Sequence, residues 1–244
     1  MTNSVKFYML QSSYLGGIYM KFEWRKHDKN LYGAKKNPTL INIPEQKYIM
    51  INGMGNPNDT DFSNRVSALY SLAYAIKMLY KKSSISEEIQ DYTVYPLEGI
   101  WKRIEDSELI KENLEYTIMI RQPDFISEEM VNIALGQVKK KKPSPFYDEM
   151  LFKSMQDGQC VELLHVGAFD DEPISFEKMN QFMKEQGLTQ STNYHREIYL
   201  NNANRVETKS ATTQISEKKV MVAESAVKME KWWRKTPLKQ QSDG

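Results

Sequence analysis

An apolar stripe at helical spacing constrains this chain more than any other feature. Phe62, Val66, Leu69, Ala73, Ile76 and Tyr80 recur at three- and four-residue steps, so one face of a helix over 61–80 is buried. β-prone segments flank it: 47–53 (KYIMING) before, and 92–95 and 116–121 (YTIMIR) after. Asn56-Pro57-Asn58-Asp59 supplies the turn, and the polar stretch 102–113 reads as a loop. Ser127, followed by two glutamates, caps a further helix that ends in Lys139 to Lys142, cations at the negative end of the dipole.

The second half restates the first. Residues 159–167 (QCVELLHVG) form a strand. Asp170-Asp171-Glu172-Pro173 then opens a helix, with acids and proline suited to its first turn. Phe176, Met179, Phe182 and Met183 provide the apolar stripe, Gly187 ends the helix, and 195–200 (HREIYL) is the next strand. Element order repeats, not residue identity. The fold class predicted is α+β, two β-α-β-β repeats in pseudo-twofold arrangement around a central ligand pocket.

Charge excludes several partners. Of 244 residues, 33 are Lys or Arg and 32 Asp or Glu, a net charge of +1. No global field favours nucleic acid or anionic lipid, so neither partner is expected. Cys160 is the only cysteine, which forbids an intramolecular disulfide and fits a reducing, cytoplasmic setting. No apolar run reaches the ~20 residues of a membrane helix. Residues 1–19 are broken by Gln11-Ser12-Ser13 and Gly16-Gly17 and lack the form of a signal peptide. They read as an extension, 20–205 as the folded domain, and 206–244 as a divergent, basic, mobile tail. Within that tail Val220 to Ala223 has the composition of a short strand, and Trp232-Trp233 that of a contact surface.

Period-two alternation puts His195, Glu197 and Tyr199 on one strand face. A glutamate flanked by aromatics on its own face is unusual, because burying a lone carboxylate is costly; the alternative is a solvent-facing acid. Glu98 lies in Tyr95-Pro96-Leu97-Glu98-Gly99-Ile100-Trp101, where proline and glycine predict a kink that re-aims the acid. The alternative there is an exposed loop carboxylate. Tyr70 and Tyr74, one helical turn apart, are candidates for lining the same cleft as Trp101, or for ordinary core packing. Together these groups suit flat, lipophilic, often cationic molecules, which gain from ring faces and a carboxylate. No metal or cofactor is expected. His165 and His195 read as satisfied strand histidines, with haem ligation as the alternative.

At these residues the chain resembles the GyrI-like small-molecule-binding proteins, in their free-standing bacterial branch. The similarity is carried by KFEWRK (21–26), INIPEQKYIMINGMGNPND (41–59), YPLEGIW (95–101), YTIMIRQPDF (116–125), VELLHVGAFDDEP (161–173) and HREIYL (195–200). It implies the two-repeat fold, shared with the SOUL proteins, and a central pocket. In effector domains of multidrug-responsive regulators the pocket glutamate occupies the strand position matching Glu197. Some free-standing relatives bind lipophilic drug-like cations, and some hydrolyse cyclopropanoid genotoxins with pocket acids and aromatics. No helix-turn-helix segment precedes the domain, so a complete transcription factor is not expected.

The chain departs from the family pattern at Lys102, where a second tryptophan is usual, and at Ala168-Phe169, where the family has Pro-Tyr. Phe169 therefore enters the pocket list without a proton-donating hydroxyl. The family's closing strand is also missing where Ser210-Ala211-Thr212 follows Lys209. Three functions follow from the resemblance: a monomeric module that sequesters small lipophilic or cationic aromatics; a hydrolase with Glu197 and Glu98 as catalytic acids; or a protein-binding inhibitor of a topoisomerase.

Overall fold

Long strands with apolar residues on both faces need cover on both sides, and the chain supplies it around one curved sheet. The computed structural model describes residues 20–84, 88–102, 114–167 and 171–200, together with the backbone of 217–224. The strands are β1 Met20–Phe22, β2 Thr39–Ile43, β3 Gln46–Met54, β4 Ile89–Tyr92, β5 Leu97–Lys102, β6 Glu115–Gln122, β7 Leu151–Met155, β8 Gly158–Gly167, β9 Tyr194–Tyr199 and β10 Glu217–Glu224. The helices are α1 Trp24–His27, α2 Lys29–Tyr32, α3 Thr60–Ser83, α4 Glu128–Lys141 and α5 Glu172–Glu185.

Eight strands pair in the order β2-β8-β10-β9-β5-β6-β3-β7, while β1 and β4 form a small parallel pair. The order makes the repeat visible. One half runs β7-β3-β6-β5 and the other β2-β8-β10-β9. The halves meet antiparallel at β5 and β9, α3 follows β3, and α5 follows β8. The first strand of each half-sequence is given to the other half. Thr39 opposes Glu162 and Ile43 opposes Gly158, and the same register continues through Gln46 opposite Met155 and Met50 opposite Leu151. A single bent ribbon thus ties the two outer parts of the sheet together. This is the α+β two-repeat fold expected from element order.

β10 lies beyond residue 205, where the folded domain was expected to end. It fills the place in the second half that β6 fills in the first, pairing with β8 from Glu217↔Gly167 to Glu224↔Cys160 and with β9. Val220 to Ala223, read above as β-prone, lies within it.

Helix signals act as their chemistry dictates. The Ser127 side chain accepts from the Met130 backbone N–H, capping α4. Gly187 takes φ 65° just past α5. α3 buries Leu69, Leu72, Ala73, Ile76 and Tyr80, and α5 seats Met179 and Met183 against Val161 and Leu163 of β8. The kink expected around Pro96 and Gly99 is not formed. Leu97 to Trp101 runs in unbroken register with β6, because Pro96 precedes the strand and Gly99 serves another purpose, described below.

Glu162 alternates with Val161 and Leu163, so it points away from α5 toward β2. It is 4% exposed. The Thr39 hydroxyl lies 3.4 Å from Oε1, and among the described residues Oε2 has no hydrogen-bond partner. Burial pushes its carboxyl up to about 7, with the Thr39 hydrogen bond pulling weakly the other way. The folded state therefore holds this proton when the unfolded chain, near its ordinary 4.5, has lost it. Stability from this group is complete below the unfolded value and is lost as pH rises toward about 7. Glu162→Gln is expected to raise the urea midpoint at about pH 8 more than at about pH 5. Equal shifts at both would show that Glu162 titrates normally.

Candidate ligand-binding site

Residues directly opposite each other on paired strands share a face. Gly99 opposes Glu197 and Trp101 opposes His195, so these four lie together with Tyr199, two residues beyond Glu197. The Tyr199 hydroxyl donates to Glu197 Oε2 at 2.6 Å. His195 Nε2 lies 3.1 Å from Glu197 Oε1. Trp101 Nε1 donates to the Tyr199 oxygen at 3.1 Å. Indole, phenol and carboxylate thus form a hydrogen-bonded chain on one face, and Glu197 is only 3% exposed.

Two strand glycines make this possible. A Cβ on Gly99 would come within 2.7 Å of Trp101 Nε1, and one on Gly53 within 2.3 Å of the Tyr116 ring. Both rings lie flat on the sheet where side chains would otherwise stand. Phe62 of α3 completes the cluster, stacking on Trp101 at 5.9 Å between centroids and meeting Tyr116 edge-on at 5.1 Å. On the other side Phe176 of α5 meets the His195 ring edge-on at 4.8 Å. The face is therefore walled by one helix from each repeat. Tyr70 reaches it too, hydrogen-bonded to the Leu97 backbone, and burial pushes its hydroxyl up.

The candidate residues separate into three groups. Glu197, His195, Tyr199 and Trp101 come together, with Tyr70 over the neighbouring Leu97. Tyr74 does not join them: it is 54% exposed and lines an outer groove between α3 and α4. Phe169 lies outside the described residues.

Glu98 stands apart on the opposite face. It opposes Ile198 and Met119, is 0% exposed, and is engaged by Arg196. Arg196 Nε donates to Glu98 Oε2 at 2.8 Å, and the Tyr32 hydroxyl donates to Oε1 at 3.2 Å. The same guanidinium contacts Asp157 and donates to the Tyr48 hydroxyl at 2.6 Å. Burial pushes the Glu98 carboxyl up, while Arg196 opposes that. Glu98 thus belongs to a buried ion-pair network and is separated from Glu197 by the sheet itself.

Phe62, read from the sequence only as part of a core stripe, and Tyr116 are additions to the candidate site residues. Their signal was present in Gly53 and Gly99, glycines inside otherwise apolar strands, which mark close approach of another group. Among the described residues no group of three or more His, Cys, Asp or Glu is placed to hold a metal ion. Nor, among them, is any helix long and apolar enough to cross a membrane.

Residues 36–216 match the family described as GyrI-like small molecule binding domain. A hydrolase encoded by lin2189 from Listeria innocua is 29% identical with a TM-score of 0.74, the match covering 85% of this chain and 100% of that one. An uncharacterized conserved protein from Listeria innocua is 30% identical with a TM-score of 0.74, over 84% and 100% of the two chains. A further hydrolase from Listeria innocua is 28% identical with a TM-score of 0.73, over 84% and 100%. No curated protein matches the chain.

Proposed function

We propose that this chain, which belongs to the GyrI-like small-molecule-binding domain family, binds flat lipophilic molecules, cations above all, against Glu197. The observation that carries this reading is a buried glutamate held by His195 and Tyr199 beside the Trp101 indole. A carboxylate held in this way beside ring faces offers charge and stacking at one place. An aromatic cation would use both, its charge toward Glu197 and its ring against Trp101 and Phe62. Glu197 is nearly closed off from solvent, so a ligand enters by displacing rings that cover it. The cost of that displacement favours ligands that restore ring-to-ring contact.

Affinity for a lipophilic aromatic cation is expected in the micromolar range, on the order of −8 kcal/mol. Glu197→Gln should weaken the cation by about tenfold or more, the ~1.4 kcal/mol or more expected when a buried charge partner is lost. A neutral analogue of the same shape should change far less. Calorimetric titration of both ligands checks this, with the far-UV spectrum as the control for folding. Equal losses for both ligands would remove Glu197 from the binding site.

A second reading is hydrolysis. It is favoured by the likeness to the two Listeria innocua hydrolases, each covered over its whole length. In this reading Glu197 is the general base toward water, and a strained electrophilic ring, as in cyclopropanoid genotoxins, is the substrate. Glu98 is not part of the proposed machinery, since Arg196 holds it on the other face.

A further inference from the structure

A concavity lies on the outer side of α3, away from Glu197. It encloses about 310 Å3 between α3 and α4, at the small end of the range for ligand clefts. Tyr74, Met78, Leu79 and Val138 give it an apolar lining, and Lys82 and Lys141 border it. Tyr74 and Met78 are large apolar side chains left 54% and 49% exposed.

Lysines in the last turn of a helix ordinarily offset the negative dipole end, and both border lysines occupy such turns. Their neighbours show what distinguishes them. Lys77 and Lys81 pair with Asp91, Lys139 pairs with Asp148, and Lys142 reaches the Ser67 and Ser71 hydroxyls. Among the described residues Lys82, Lys140 and Lys141 make no ion pair, and of these Lys82 and Lys141 stand over the same apolar groove. A second copy of this surface would bring like charges together, which disfavours self-association here.

We propose that the α3–α4 groove is a binding site for a small amphipathic anion, its apolar tail on Tyr74, Met78, Leu79 and Val138 and its acid group between Lys82 and Lys141. The ligand class is a monomeric alkyl or aryl carboxylate or sulfonate. The charge preference is opposite to that proposed for the Glu197 site, so one ligand class does not serve both.

The test uses the full chain with methionine methyls labelled for NMR, and octanoate below its micelle concentration as the probe. Met78→Leu identifies the Met78 resonance by its loss. Octanoate is expected to move that resonance saturably, whereas octanol should bind less well. Lys82→Glu together with Lys141→Glu should weaken octanoate by about tenfold, the sum expected for two exposed charge contacts reversed in sign. The effect should shrink as salt is raised. Both lysines are exposed, so the variant should fold, with its far-UV spectrum as the check. Three outcomes would each overturn the proposal: unchanged affinity in the double variant, octanoate shifts confined to other methionines, or binding to anionic vesicles without binding to monomeric octanoate. Binding of an aromatic cation should be the same in wild type and the double variant, which separates this result from the fate of the Glu197 reading.

Discussion

Arg196→Met is expected to lower folding stability by about 3–5 kcal/mol, a large share of the roughly 5–15 kcal/mol that holds a domain together. Arg196 is 4% exposed and Glu98 0%. The guanidinium touches Glu98 through Nε and Nη2, contacts Asp157 through Nη1, and meets the Tyr48 hydroxyl. Methionine fills similar volume but leaves two carboxylates facing each other in a low-dielectric interior. Removing one partner of a buried pair costs more than the pair itself contributes, because the remaining charge cannot be solvated. Glu98→Gln should cost less, about 1–3 kcal/mol, since the amide still accepts from the guanidinium and Asp157 remains. Urea unfolding of both variants gives the ranking. An unchanged midpoint for Arg196→Met would mean that water reaches this network. Ligand affinity per folded molecule should stay within about twofold in Glu98→Gln, a change too small to reflect a lost contact.

The differing fates of Glu98 and Glu197 show which structural information is local. Alternation along one strand is a local property, and it places His195, Glu197 and Tyr199 together. Whether Glu98 shares their face depends on the register between β5 and β9, strands far apart in sequence. A shift of one residue exchanges every side chain between faces, and here Gly99, not Glu98, falls opposite Glu197. Arg196 carried an unread hint. It is adjacent to Glu197 and so points the other way, where a buried cation requires an acid. Tyr70 and Tyr74 illustrate a similar limit on a helix. Residues four apart are about 40° apart around the axis, enough at the margin of a buried stripe to turn one ring inward and the next into solvent. The three long helices, α3, α4 and α5, were readable because caps, stripes and terminal charges are local, whereas α1 and α2, four residues each, are too short to show a stripe. β10 was readable only as a β-prone run, since its place between β8 and β9 is settled by pairing partners and not by its own residues.

Glu197→Gln is expected to slow single-turnover hydrolysis of a cyclopropane-containing electrophile by ~10²–10⁴-fold, the usual contribution of a positioned general base. In the proposed step a water oxygen forms a bond to the strained methylene carbon as the ring carbon–carbon bond breaks. The displaced electron pair moves onto the conjugated carbonyl oxygen, and the water proton passes to the Glu197 carboxylate. The base must be held and partly desolvated before the substrate arrives. His195 and Tyr199 hold it, and burial at 3% exposure removes competing water. A donor is also needed where negative charge develops. Tyr199 can supply it by turning its single O–H from Glu197 to the carbonyl oxygen as Glu197 takes the water proton, while the Trp101 N–H continues to donate to the phenol oxygen; Phe169 has no hydroxyl to offer. Tyr199→Phe should therefore lower the rate as well, while keeping the ring and much of the ground-state affinity. Glu98→Gln should leave the rate per folded molecule within about twofold, separating the structural carboxylate from the chemical one. Product analysis over a single turnover, with ligand affinity measured in parallel, tests each variant. Wild-type protein that binds the compound and returns it intact after many hours would end the hydrolytic reading and leave Glu197 as a binding carboxylate alone.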